Sequence, residues 1–374
     1  MAAINTTPPR FRGVEPGAGR PGSDDLGRQQ ERRRGAFLLT ALGLALAASL
    51  VLAVGIGAVR IAPATVAGVV GHVVLGVPGT PPGTGSEVAI VWQVRVPRVL
   101  LAALVGAGLA VTGATLQAMV RNVLADPYLL GVTSGASTGA AAAILFGVGA
   151  AFGDNALAGS AFVGAMGASL VVFLVARAAG RVTSVRLLLA GVAVGYALYA
   201  ATSFLIFAAD SAEGARSVMF WLLGSLSLAR WSSPLAVVAV VVLGTVALLL
   251  VWSQRLDALA IGDETALTLG VSPTRLRAQL LVVVSLCVGA VVAAAGGIGF
   301  VGLVIPHVAR RHVGAAHHRV LPVSALTGAI FLVWADVVAR TVLQPRELPI
   351  GIITALVGAP FLLLLVRRFH AASA

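Results

Sequence analysis

The chain contains no lysine: all 26 of its basic residues are arginine. It also has a single cysteine, three tyrosines and only fourteen acids in 374 residues. Each scarcity excludes something. The one cysteine, Cys287, lies in an apolar run, so no intramolecular disulfide is available and no cysteine metal site is suggested. Only 11% of residues are charged, against about 25% in soluble domains, while 58% are hydrophobic and the mean hydropathy is +0.98. Such a chain is an integral membrane protein, and the lengths of its apolar runs make it α-helical. No GxxxxGK[ST] phosphate loop is present, so any ATP hydrolysis belongs to another chain. A membrane enzyme finds no paired nucleophile and base and no metal-spaced cluster. The net charge of +12 does not imply a nucleic-acid partner. The arginines sit at the ends of apolar runs, where the positive-inside rule places them, and not in one groove-like patch. The missing lysine reads as genome base composition.

What is present is mostly hydrocarbon-soluble. Residues 1–35 are rich in Arg, Pro and Gly and read as a disordered cytoplasmic tail. Arg32, Arg33 and Arg34 then meet an apolar run from Ala36 to Val59, longer than the roughly 7–15-residue core of a secretory signal. It reads as a retained first span. Further runs follow at about 96–118, 128–150, 157–176, 186–208, 234–252, 277–295, 298–309, 321–342 and 348–366. Most approach the ~20 residues that a crossing helix needs. The run at 298–309 is short and glycine-flanked, as a half-helix or re-entrant segment would be. Another stretch, 216–228, is apolar but short and amphipathic, and its placement decides the topology after it. With ten spans and both termini inside, only Arg60, Arg95, Arg98, Arg216, Arg230, Arg340 and Arg346 fall outside. Counting 216–228 as a span splits the arginines almost evenly. The orientation rule prefers the first arrangement.

That arrangement puts a polar island, Ser253–Arg277, in the cytoplasm. It holds Asp257, Asp263 and Glu264 and reads as one or two short amphipathic helices. Leu256, Leu259 and Ala260 fall on one face of the first; Ala266, Leu267, Leu269 and Gly270 crowd the second. Spacing alone leaves it either an ordinary loop or a surface shown to a soluble partner.

Three other stretches put polar groups or helix breakers at membrane depth. Arg95-Val96-Pro97-Arg98 starts the second span; its arginines either snorkel to the interface or dock an acidic partner. Residues 113–136 place Gln117, Arg121, Asn122 and Asp126 at the inner end of that span, then restart a helix after Pro127 with Gly131 and Gly135. Residues 296–310 are a glycine-broken entry into a segment carrying Gly302, Pro306, His307 and Arg310. His307 has no second ligand at metal spacing and reads as structural. Small residues four apart, such as Gly106, Ala110 and Ala114, or Gly135, Gly139 and Ala143, either pack helices closely or line a pore. Asp336 and Arg340 are four apart and can pair locally.

Together these stretches resemble the FecCD family of permease subunits. The match runs through RVPR at 95–98, GATLQAMVRNVLADPYLLGVTSGA at 113–136, GDETALTLGV at 262–271 and GGIGFVGLVIPHVAR at 296–310. It continues in ADVVAR at 335–340 and ELPIGIITALVGAPFLLLL at 347–365. Val123 departs from the usual proline. The resemblance implies an all-α integral membrane protein of ten transmembrane helices, with a short broken eighth span and a cytoplasmic coupling helix between spans six and seven. Residues 36–374 form its permease domain in the cytoplasmic membrane, with lipid around it.

The resemblance further implies a non-catalytic subunit that binds no cofactor. Its partners are a second permease, as homo- or heterodimer, two ATP-binding cassette ATPases carrying ATP and magnesium, and an extracytoplasmic binding protein. The cargo class is an iron–siderophore complex, haem or vitamin B12. By motif, Arg95, Arg98 and Arg340 dock the binding protein. Asp257, Gly262, Asp263, Glu264, Ala266, Leu269 and Gly270 meet the ATPase. Gln117, Asn122, Asp126, Pro127, Gly131, Gly135, Gly302, Pro306, His307 and Arg310 form the structural or pathway motif, and no residue binds metal. The competing class, an ion-coupled secondary transporter, keeps acids near the middle of its spans; here Asp126 and Asp336 sit near the edges.

Overall fold

A computed structural model of the chain describes residues 23–57, 59–76, 83–178, 180 and 182–373. The chain divides into two units, Met1–Leu38 and Leu39–Ala374. Among the described residues every regular element is helical. Seven helical runs are long and apolar enough to cross a membrane: Arg33–Gly55, Gly85–Val120, Ala150–Ala178, Ser184–Phe207, Ser233–Val251, Pro273–Ala295 and His317–Thr341. The protein is therefore a multi-pass membrane protein. Three shorter apolar helices cover Pro63–Val73, Val132–Phe146 and Ile350–Leu365.

The first helix, α1, runs from Ser23 to Gly55. Of the tail expected to be disordered, residues 1–22 lie outside the described residues, whereas 23–35 are helical. Gln, Glu and Arg are good helix formers, and no proline follows Pro21 before the apolar run. Next come α2 (Pro63–Leu75), which the apolar-run count did not include, and α3 (Gly85–Ala89). Thr84 starts α3 with a capping box shared with Glu87. The chain continues through a π-helical stretch, Ile90–Arg95, into α4 (Val96–Val120). The second span thus begins about ten residues before the expected residue 96. A capped start and one wide turn at 90–95 keep the polar RVPR segment helical.

The remaining helices are α5 (Val132–Phe146), α6 (Ala156–Ala178), α7 (Ser184–Phe207), α8 (Ala212–Leu222) and α9 (Ser233–Val251). They are followed by α10 (Ser253–Ile261), α11 (Asp263–Thr268), α12 (Pro273–Ala295), α13 (Val301–Val313), α14 (His317–Thr341) and α15 (Ile350–Ser373). The amphipathic stretch expected at 216–228 is α8. It starts earlier because the Ser211 side chain accepts from Gly214 N at 3.1 Å, and it ends at Leu222. Eleven residues at about 1.5 Å each reach roughly half of a ~30 Å hydrocarbon layer. By length α8 is no span.

The bundle is built around α4, which packs against α9, α12, α13 and α14. Close approach explains its small residues. A Cβ on Gly106 would run into the carbonyl of Gly328 on α14, and one on Gly113 into Gly302 of α13. Gly135 and Gly139 of α5 meet Gly164 and Ser160 of α6 in the same way. These stripes let the helix backbones meet. Gly244 of α9, by contrast, has open space where a Cβ would go. Gly106→Ala should therefore cost about 1–3 kcal/mol through backbone overpacking, whereas Gly244→Ala should be neutral or stabilising by up to ~1 kcal/mol. Thermal unfolding in detergent of the two variants beside the parent checks the contrast.

Candidate functional site

Polar side chains gather at the two ends of α4. At its start, Arg95, Arg98 and Arg340 are 6, 9 and 7% exposed. Arg98 reaches Asp336 through Nε at 2.9 Å and Glu347 through Nη1 at 3.0 Å. Arg95 donates to the carbonyls of Val54, Gly55 and Val59, and Arg340 to that of Ala53. Ala53, Val54 and Gly55 end α1, where helix geometry leaves carbonyls without intrahelical donors. The two guanidiniums close that end and complement its dipole. Asp336 lies 3.5 Å from Arg340 as the i,i+4 spacing suggested, but its hydrogen bonds come from Arg98. The guanidiniums expected to face a binding protein are buried and donate inside the chain, because α1 and α14 present acceptors closer than solvent. Arg60, Arg216, Arg230 and Arg346 are the exposed arginines of the segments assigned to that side.

At the other end of α4, two motifs far apart in sequence meet. Pro306 has no N–H, so within α13 the carbonyl of Gly302 loses its usual i+4 donor. Gln117 of α4 supplies one: its Nε2 lies 3.2 Å from Gly302 O and 3.3 Å from Ala125 O. Arg310 in turn donates to Gln117 Oε1. Pro127 packs against Gly302, where a Cβ would come within 2.8 Å of its ring. Gln117, Pro127, Gly302, Pro306 and Arg310 are thus one contact group. His307 stands apart, edge-on to Phe361 of α15 at 5.6 Å. Asn122 shapes its own turn by accepting from Leu124 N, and Asp126 accepts from Tyr128 N, both at 2.9 Å. Burial pushes the Asp126 carboxyl up to about 6, against that hydrogen bond. Gly131 takes φ +71° between this turn and α5, close to Gly191 and Gly195 of α7. Gly135 is one turn into α5.

The polar island folds as two short helices, α10 and α11, hinged at Gly262. Leu256, Ala258 and Leu259 are buried; Ala260, expected on that face, is exposed. The buried face is therefore shifted by about a fifth of a turn toward Ala258. Ala266 is fully buried, while Ile261, Leu267 and Leu269 are 70, 51 and 64% exposed, with Glu264 exposed beside them. Gly270 at φ +75° stops α11. Its N–H bonds Leu267 O and the Val271 N–H bonds Ala266 O, the paired closure that glycine permits.

Two polar ties fix the island to the bundle, and neither partner was visible in the sequence. Asp257 on α10 accepts the His317 backbone N–H at 2.9 Å, and its Oδ1 lies 2.6 Å from the ring Nδ1. Burial pushes this carboxyl up, but the His317 ring and N–H outweigh it and hold it below the ordinary carboxylate range. Asp263 at the start of α11 takes a two-pronged bond from Arg277 at 2.7 and 2.9 Å. Arg277 belongs to α12, is 1% exposed, and also donates to Ser184 Oγ and Met119 O. Among the described residues no group of three or more His, Cys, Asp and Glu side chains could hold a metal ion.

The chain matches known proteins along most of its length. A model of the FecCD transport family matches residues 45–368. A cobalamin import system permease, BtuC of Halobacterium salinarum, is 47% identical over 278 residues, 74% of this chain and 73% of that one. The hemin transport system permease HmuU of Yersinia pestis is 40% identical over 74% of this chain and 83% of its own. The Fe(3+)-citrate import system permease YfmD of Bacillus subtilis is 39% identical over 76% and 83%. A solved ABC transporter of the metal-chelate type, in an inward-facing conformation, superposes with a TM-score of 0.77 at 34% identity, covering 89% of this chain and 99% of that one. With that family model matched across the α4-centred bundle and its polar ends, the chain belongs to the FecCD transport family.

Proposed function

We propose that this chain is the membrane-spanning permease subunit of an ATP-binding-cassette importer for a large chelate: an iron–siderophore complex, haem or a corrinoid. One observation carries the reading. A chain without a phosphate loop holds out a rigidly tied island whose exposed face is Ile261, Leu267, Leu269 and Glu264. Exposed leucines on an otherwise polar segment are costly unless a partner covers them. That partner is the ATPase, α11 is the coupling helix, and ATP and magnesium stay on the ATPase. The relatives named for cobalamin, hemin and Fe(3+)-citrate support the cargo class. The ion-coupled alternative has less support, since the buried Asp336 is paired with Arg98.

Ten helices then cross the membrane: α1, α4, α5, α6, α7, α9, α12, α13, α14 and α15, with α13 the short, broken eighth. Both termini and the island face the cytoplasm, and α8 lies along the outer surface. The permease works as a dimer, with itself or a paralogue, on two ATPase subunits. An outside binding protein docks by acidic groups on the arginines of the outer end: Arg95, Arg98 and Arg340 of the motifs, with the exposed Arg60, Arg216, Arg230 and Arg346 around them.

Three outcomes test this. In a Cys287→Ala background, a membrane-impermeant thiol reagent applied outside should label Ser211→Cys on intact cells and leave Thr268→Cys unlabelled; the reverse pattern would invert the topology. Leu267→Asp with Glu264→Arg should lower uptake per ATP hydrolysed at least tenfold while insertion is unchanged, read in proteoliposomes with the ATPase subunits. Arg216→Glu with Arg346→Glu should weaken binding-protein affinity about tenfold at low salt and less at high salt. An affinity that does not move at either salt would remove those two arginines from the docking surface.

A further inference from the structure

Among the described ion pairs that join the island to the spans, the most buried side chain is that of Arg277. Its guanidinium donors go to three other helices. Asp263 is the first residue of α11, Ser184 the first of α7, and Met119 lies in the last turn of α4. Met119 O has no intrahelical donor there, and Ser184 Oγ also donates to it, at 3.2 Å. The ends of α4 and α7, the first turns of α12 and the coupling helix therefore meet at one side chain. The planar guanidinium allows this, because it offers five N–H groups in a fixed fork. A lysine ammonium would keep the charge and lose the geometry.

Size matters as well. With six residues α11 is too short to hold itself as an isolated helix, and its buried side chain is Ala266. The orientation of α11 is set from its first residue, where Asp263 meets Arg277. The second tie, Asp257 to His317, fixes α10 to the start of α14, which packs along α4. Both ties lead to α4: Arg277 bonds Met119 O at its end, beside the longer Arg121–Asp263 pair at 3.9 Å, and α10 itself packs against α4.

We propose that Arg277 is a positioning residue for energy coupling. Through the Asp263 pair it makes α11, the end of α4 and the start of α7 move as one body when the ATPase displaces the island. The inference rests on reading the island as the ATPase contact. It differs from a purely stabilising role in what it predicts: loss of coupling without loss of assembly.

The test uses the full complex of permease, ATPase and binding protein in proteoliposomes. The probe is whichever of vitamin B12, haemin and ferric citrate the parent takes up. Arg277→Lys should assemble with the ATPase and keep its melting temperature within a few degrees, yet lose at least tenfold in uptake per ATP hydrolysed. Ser184→Ala, which leaves the ion pair intact and removes one acceptor, should lose about two- to fivefold; it carries the test alone if Arg277→Lys does not accumulate. An uptake-to-ATP ratio equal to the parent's in Arg277→Lys, or in Ser184→Ala when it stands alone, overturns the proposal. The Leu267→Asp, Glu264→Arg variant is run beside them. If it uncouples and the Arg277 and Ser184 variants do not, the island reading stands and only the positioning role falls. If it too leaves the ratio and ATPase binding unchanged, the island reading itself fails.

Discussion

A helix that ends inside an apolar surrounding must find donors for its last carbonyls, since no water is there to supply them. Much of this molecule's polar chemistry answers that one requirement. Arg95 and Arg340 close the end of α1, and Arg277 with Ser184 closes the end of α4. Gln117 answers the same need inside α13, where Pro306 has removed a donor from the ladder. A buried arginine is costly, with an effective penalty of several kcal/mol per ion, so each needs compensation. Arg98 and Arg277 have carboxylates. Arg95 has three carbonyls, which offer partial charge at a helix end and satisfy its donors.

The same accounting bears on the RVPR segment. A docking arginine must trade water for a partner's carboxylate. Here Arg98 would have to give up Asp336, and Asp336 is itself buried. Removing one member of a buried pair strands the other, at about 3–5 kcal/mol. Those residues hold α4 to α14 and α1. A partner's acids would compete there with these internal acceptors, while the arginines that already face solvent can steer encounter at long range.

Much of this was legible in the chain. Each of the ten apolar runs falls on a helix, and seven of those helices are long and apolar enough to cross a membrane. Gly270, read as part of the second island helix's face, instead stops α11, because a left-handed cap favours glycine. Residues 296–310 were read as a glycine-broken entry into a short segment, and the break falls at 296–300, while α13 stays helical through Gly302 and Pro306. Their connection to Gln117 was hidden, since 185 residues separate Gln117 from Gly302 and spacing reports only local geometry. Arg277 and His317 were hidden for a related reason. Each looked like a terminal charge beside an apolar run, and nothing local tells a snorkelling arginine from one turned inward. The helix α2 was overlooked because its 13 residues fall short of a span. The Ala260 error came from carrying a 3.6-residue period to the last turn of a nine-residue helix, where Gly262 and the buried Ala258 shift the packed face.

The bond between Gln117 and the Gly302 carbonyl bears on how the protein is made. During synthesis α4 emerges long before α13, and α13 carries a proline that strips its own first turn of a hydrogen bond. Until it reaches α4, that turn must leave a bare carbonyl in lipid or stay out of it. The helix α13 is therefore a late, dependent passenger in biogenesis: it settles on a template already laid down in the bilayer, and a truncated chain that lacks α4 would leave it at the membrane surface.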